Sequence, residues 1–146
     1  MRPDTKEICI DNNVITSYLA NDEANEAVDK LFNRIFEEGL LIYVPALLNF
    51  EFANVLARKK KSRLLNDEQS RIALKTFFSL PIVLAWKEEF IETAFNLVEN
   101  GLPSLYDASY VAIAMIRNIP LVTFDKELYK RARTHYDGIF TPDQLV

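Results

Sequence analysis

Short apolar runs alternate with longer stretches in which apolar residues recur every three or four positions, and Pro, Gly and Asn punctuate the boundaries. Ile8-Cys9-Ile10 reads as a buried strand that stops at Asp11-Asn12-Asn13. Val14 to Leu19 and Glu23 to Glu38 follow as helices, the second closed by Gly39. Leu40 to Val44 is a second strand, after which Pro45 predicts the first turn of an apolar helix reaching about Lys60. Asn66-Asp67 caps a helix through Phe78, and Pro81 leads into a third strand, Ile82-Val83-Leu84. Lys87 to Glu99 is an amphipathic helix closed by Asn100-Gly101, and Ser104 opens another to about Arg117. Pro120 introduces a fourth strand, Leu121-Val122-Thr123, then a helix from about Lys126 to Arg133, with Gly138-Ile139-Phe140 as a fifth strand. About five short strands among about seven helices predict an α/β fold around a central, mainly parallel sheet.

No Gly-rich or Ser-rich linker, repeat or low-complexity stretch interrupts this pattern, so residues 1–146 are read as one domain. An apolar content of 49% supplies one sizeable core and excludes disorder. With 17 Lys and Arg against 21 Asp and Glu, the chain has no overall positive field to hold nucleic acid, and any basic attraction must be local. The single Cys9 cannot form an internal disulfide, and neither it nor the single His135 stands at zinc-ligand spacing, so a reducing cytoplasm is the expected compartment. Met1 to Glu7 is polar, and no run approaches the roughly 18 apolar residues of a spanning helix, so neither export nor membrane insertion is expected.

Charge placement changes the picture. At 26% charged residues, about every fourth position should carry a charge, yet Gly39 to Ala57 contains only Glu51, and Gly101 to Ile116 only Asp107. At helical spacing Glu51 shares a stripe with Leu47 and Val55, and Asp107 shares one with Val111 and Ala114. Carboxylates in such company are costly unless paired, hydrogen-bonded or bound to a cation. Asp11 directly follows the first strand and Asp125 follows Leu121-Val122-Thr123-Phe124, which is where ligands bind in open α/β sheets. All four acids can therefore meet at one edge of the sheet. Like charges raise each other's pKa, and a divalent cation resolves the conflict. An all-oxygen donor set without His or Cys favours Mg²⁺ or Mn²⁺, whose common use is to activate water at a phosphodiester.

Each acid also has a purely structural explanation. Ser104-x-x-Asp107 fits a helix-start capping box, Asp11 and Asp125 can cap the helices after them, and Glu51 can pair with Arg58 or with a residue from elsewhere. Four coincidences of acid and edge outweigh four separate structural roles. Asn13, Thr123 and Ser104 are the polar neighbours placed to support the carboxylates. Arg58, Lys59, Lys60, Lys61 and Arg63 follow the Glu51 helix, and Lys126 and Lys130 follow Asp125, a rim able to track phosphates without sequence choice.

In order, type and spacing, the segments Ile10-Asp11-Asn12-Asn13-Val14, Glu51-Phe52-Ala53-Asn54-Val55-Leu56, Tyr106-Asp107-Ala108-Ser109-Tyr110-Val111-Ala112 and Leu121-Val122-Thr123-Phe124-Asp125-Lys126-Glu127-Leu128 resemble the PIN-domain family. Within it they are most similar to the VapC toxins of type II toxin–antitoxin pairs, over almost the whole chain. The third and fourth segments are the most specific. The resemblance implies a Mg²⁺- or Mn²⁺-dependent endoribonuclease in which Asp11, Glu51, Asp107 and Asp125 hold the metal, a metal-bound water attacks phosphorus, and Thr123 supports the site. It also implies a homodimer silenced by a cognate VapB-like antitoxin. Asn13 departs from the family pattern, which more often has Ser or Thr there, and this bears on metal geometry.

Two other functions compete. An Asp ending the first strand also serves as a phosphate-accepting nucleophile, but phosphatases of that kind want a second Asp at Asn13, and receiver domains want an Asp where Leu84-Ala85-Trp86 stands. The stronger rival is a non-catalytic module that binds a partner or RNA, in which the acids hold only a structural cation or a partner's Arg.

Overall fold

The computed structural model describes residues 6–20 and 24–145. Five parallel strands, β1 (Glu7–Ile10), β2 (Leu41–Pro45), β3 (Ile82–Ala85), β4 (Leu121–Val122) and β5 (Ile139–Phe140), form one sheet in the order β3-β2-β1-β4-β5. Between them run α1 (Asn12–Ala20), α2 (Glu26–Glu38), α3 (Leu48–Lys61), α4 (Asp67–Ser79), α5 (Glu88–Glu99), α6 (Leu105–Arg117) and α7 (Lys126–Ala132), with α8 (Pro142–Leu145) at the end. Parallel strands covered on both faces read as near-continuous apolar runs, and after Glu7 the rest of β1, Ile8, Cys9 and Ile10, is wholly buried.

Local chemistry explains the helix boundaries. Asn25 caps α2 by accepting from the Val28 N–H at 3.1 Å, and Gly39, at φ +66°, ends it in a left-handed turn that leaves Val28, Leu31, Phe32 and Ile35 on the buried face. Asn66 and Gln69 form a reciprocal capping box on α4, while Ser104 caps α6 and Asn118, at φ +55°, closes it. Stacked rings tie neighbours together, Tyr18 on Phe32 between α1 and α2 and Phe52 on Phe77 between α3 and α4. The long helix α6 packs against β1, β2 and β4, and α5 lies along α6.

Several element ends differ from the sequence expectations by a residue or two, and the larger differences have local reasons. Pro45 ends β2 instead of opening α3: it sits opposite Ala85 of β3 and beyond the pairing of β1, so its missing N–H breaks no ladder there. Thr123 lies just past the two-residue β4, although its N–H still donates to the Phe140 carbonyl at 3.0 Å. Glu23, the expected start of the second helix, lies outside the described residues, as does most of the polar segment Met1 to Glu7; the helix begins at Glu26. The eighth helix, Pro142–Leu145, was not expected, because four residues are too short to show a periodicity. It is held by its contact with α2, where Arg34 donates to the Leu145 carbonyl at 3.0 Å.

Connections from β1 proceed outward to β2 and β3, and the chain then returns to place β4 on the other side of β1. The strand order therefore reverses between β1 and β4, and the crevice beyond the carboxyl ends of these two strands is the position where open α/β sheets bind ligands. Among the described residues no helix is long and apolar enough to cross a membrane.

Candidate active site

β1 and β4 deliver Asp11 and Thr123 to this crevice side by side. Cys9 and Ile10 pair with Leu121 and Val122, and the Asp11 N–H donates to the Val122 carbonyl at 3.0 Å. The Thr123 hydroxyl, wholly buried, accepts from the Asp125 N–H at 3.0 Å, which directs its one proton to Asp11 Oδ2 at 2.8 Å. Asp11 is 6% exposed, and burial pushes its carboxyl up to about 6; Asp107 and Asp125 push in the same direction, while the Thr123 hydroxyl and the Asn12 backbone hold it back.

The other acids come from separate helices. Glu51, in the first turn of α3, is half-buried and raised by burial, with a further push from Asp107, while the Tyr110 hydroxyl donates to its Oε2 at 3.4 Å. Asp107, in the first turn of α6, is raised by burial and by Asp125, and Ser104 restrains the rise. Asp125 caps α7, its Oδ1 accepting from the Leu128 N–H at 3.0 Å. The electrostatic links run from Asp11 to Asp107 and Asp125, from Asp107 to Asp125 and from Glu51 to Asp107, so the four acids form one repelling group. None of the ion pairs among the described residues includes any of them.

The structural roles weighed from the sequence are thus partly realised. Ser104 accepts from the Asp107 N–H at 3.1 Å, and Asp125 is a true cap. Asp11 precedes α1, with its backbone carbonyl accepting from Val14 and Ile15 and the Asn12 backbone bearing on its carboxyl, while the partner of Glu51 comes from elsewhere in the chain, Tyr110 in place of Arg58. Asn13 is exposed on α1, whereas its neighbour Asn12 bears on Asp11 through the backbone. The basic residues divide. Arg58, Lys60, Lys61 and Arg63 are exposed and Lys59 half-buried, but they begin about 10 Å along α3 from Glu51, and Lys60 is paired with Asp67 at 2.6 Å. Lys126 stands immediately beside Asp125 and Lys130 one turn on, both exposed.

Three features went unread in the sequence. Tyr110 is 3% exposed and places its hydroxyl between Glu51 and the Asp11 loop. Asn12 Oδ1 and Thr16 Oγ1, one turn apart on α1, are buried without a hydrogen-bond partner among the described residues. An apolar cleft of about 270 Å³, lined by Pro45, Leu47, Trp86, Phe90, Leu105 and Tyr106 among others, opens directly beside Glu51. Tyr110 and Tyr106 flank Asp107 in the sequence, which was their one available signal.

The donor set suits a hard divalent cation in type and charge: oxygen ligands only, mutually repelling, and without a basic partner. Among the described residues, however, no three Asp, Glu, His or Cys side chains stand close enough to hold an ion as they are. Asp125 spends one oxygen on its helix and Asp11 one on Thr123, so the carboxylates surround a site without being gathered into it.

Comparison with known proteins gives the family and the fold. The family model of the PIN domain matches residues 8–134, so the chain belongs to the PIN-domain family. Its fold is similar to the solved structures of FitAcB from Neisseria gonorrhoeae (20% identity, TM-score 0.65, covering 92% of this chain and 97% of that one) and PAE2754 from Pyrobaculum aerophilum (24%, 0.65, 95% and 91%). It is also similar to VapBC2 from Rickettsia felis bound to a DNA fragment from their promoter (16%, 0.65, 92% and 96%). A search of the curated proteins finds no match.

Proposed function

We propose that this protein is a metal-dependent endoribonuclease and the toxin of a type II toxin–antitoxin pair. One observation carries the reading: four carboxylates from four separate elements repel one another at the switch point of a parallel sheet with no basic side chain paired to them. A fold that needed these acids only for its stability would have no reason to bring them together. The toxin assignment draws on the structural similarity to VapBC2 and to a toxin–antitoxin complex from Klebsiella pneumoniae (17% identity, TM-score 0.59).

Asp11, Glu51, Asp107 and Asp125 would hold Mg²⁺ or Mn²⁺. Such an ion supplies a lowered pKa for water and stabilises charge on the phosphate oxygens during in-line displacement. The chain's own residues prepare for this. Thr123, fixed by the Asp125 N–H, keeps its proton on Asp11 Oδ2 and so sets the orientation of that carboxylate. Burial of Asp11 makes charge on its oxygens strongly felt, and Ser104 anchors the helix start that presents Asp107. Lys126 and Lys130 on α7 are placed to meet the RNA backbone beside the carboxylates, with Arg58 to Arg63 further out.

Two separated apolar surfaces support two protein partners, a second copy and a VapB-like antitoxin. One surrounds the cleft of Trp86, Ile91 and Tyr106; the other borders Ile72 on α4, beside Leu19 and Leu65. The absence of a ready-made ion cluster favours the rival reading of a non-catalytic binding module, in which the same surfaces are the whole function. A cytoplasmic location completes the proposal.

The deciding experiment incubates purified, antitoxin-free protein with a mixed RNA pool and Mg²⁺ or Mn²⁺, with and without chelator, beside Asp11→Asn. Chelator-sensitive cleavage that vanishes in the variant supports the nuclease. No cleavage in either metal by folded protein leaves the binding module.

A further inference from the structure

Tyr110 has no part in the reading above, yet its hydroxyl sits inside the acidic group. It lies three residues after Asp107, hence on the same side of α6, with its ring buried in the core. A phenol hydroxyl enclosed in apolar surroundings needs an acceptor, and the one the structure provides is Glu51 Oε2 at 3.4 Å. The contact is long for an O–H donor. From the other side the Asn12 backbone bears on both the Tyr110 hydroxyl and the Asp11 carboxylate, so Tyr110 joins the end of β1 to the start of α3.

Glu51 needs such a partner more than the other acids do. Asp11 is held by Thr123, and Asp125 by its own helix cap; Glu51 has the longest side chain and borders an open cleft of about 270 Å³ into which it could swing. Among the described residues no basic group pairs with it, and its one side-chain hydrogen bond comes from Tyr110. Burial, Asp11 and Glu51 all push the Tyr110 phenol well above its ordinary range, so the group is a permanent donor.

Resting on the nuclease reading, we propose that Tyr110 is a positioning residue whose buried hydroxyl holds the Glu51 carboxylate among the other acids and out of the apolar cleft. Tyr110→Phe keeps the ring and removes only the donor.

The test uses the full chain and Mn²⁺ alone, followed by calorimetry, with tyrosine-Cζ-labelled protein read by NMR in chelator. Tyr110→Phe should melt close to the parent, bind Mn²⁺ about 10-fold more weakly or worse, and add nothing further in a Glu51→Gln background. The Tyr110 Cζ resonance should move in Glu51→Ala without any metal, a readout that needs neither a folded Tyr110 variant nor activity. An unmoved Cζ resonance overturns the proposal, as do parental Mn²⁺ affinity in Tyr110→Phe and strictly additive losses in the double variant. If the parent itself binds no Mn²⁺ and cleaves no RNA, the nuclease reading fails, and the Cζ resonance alone decides whether Tyr110 holds Glu51.

Discussion

Asp67 and Asp11 are the same side chain in opposite surroundings. At the corner between α3 and α4, Asp67 is exposed, receives Lys60 at 2.6 Å and Arg71 at 3.0 Å, and its carboxyl is held below the usual range chiefly by the Lys60 hydrogen bond. At the carboxyl edge of the sheet, Asp11 is buried, has no basic partner, and sits among three more acids that include two pushing its carboxyl upward. Ion pairs among the described residues serve this surface corner and other acids outside the crevice, and none reaches the four acids in it. Four acids opposed in one place, in a chain that balances charge elsewhere, are what supports the cation site of the proposed function.

The most severe way to break the contrast is Asp107→Asn, which removes the acid that electrostatically links Glu51 to Asp11. Cleavage should fall by about 100-fold or more, beyond the 10–100-fold typical of a supporting partner. The same variant, melted in chelator, should be as stable as the parent or more so, since repulsion is relieved while the Ser104 cap on the backbone remains. A large loss of stability would assign Asp107 to capping alone. Thr123→Val comes next. It removes the donor to Asp11 and the acceptor for the Asp125 N–H, so cleavage should drop about 10–100-fold, and stability should fall by about 1–3 kcal/mol because a buried carboxylate oxygen is left unmet.

How these residues could be read in advance differs from one to the next. Glu51 and Asp107 announced themselves as single charges in long apolar stretches, and Asp11 and Asp125 as acids at strand ends; each signal is local and survives in one dimension. The sheet was legible for the same reason, since Ile8-Cys9-Ile10 and Leu121-Val122 are apolar runs between breakers. Pro45 misled because proline suits both a helix start and a strand end, and only its pairing with Ala85 of β3, beyond the reach of β1, decides between them. Tyr110 has a trace only in its place near Asp107, and what its hydroxyl and the Asn12 backbone do was not legible: each matters through a neighbour 59 or more residues away or through a backbone direction. The acids were readable, whereas their spacing in the fold, which among the described residues stops short of a ready-made ion site, was not.

Acidity offers a finer probe of the same contrast. Asp11 has its carboxyl raised in the fold from 3.8 to about 6, so the folded state holds the proton more tightly than the unfolded chain. The contribution is fully present below about pH 4 and is lost as the pH rises through 6, an effect of roughly 3 kcal/mol at most. Denaturant unfolding in chelator should show stability falling over this window, and Asp11→Asn should flatten that part of the profile. A profile that is identical in the variant would mean that Asp11 is ionised in the fold without penalty.

Asp67→Asn is the gentlest test and completes the contrast from the other side. Asp67 carries the shortest ion pair of the corner, and a count of salt bridges would rank it above every acid in the crevice. Its folded carboxyl is lowered, so whatever it contributes is present at neutral pH and fades in acid, the reverse of Asp11. Because both partners are exposed, solvent and salt screen the attraction, and long side chains lose freedom in making it. The melting temperature of Asp67→Asn should therefore barely move at moderate salt, and metal-dependent cleavage should equal the parent's. The variant does free Lys60, which stands in the basic stretch after α3, so RNA affinity at low salt should rise slightly if that stretch meets phosphate. Unchanged affinity across a salt series would place the RNA path beside Lys126 and Lys130 instead.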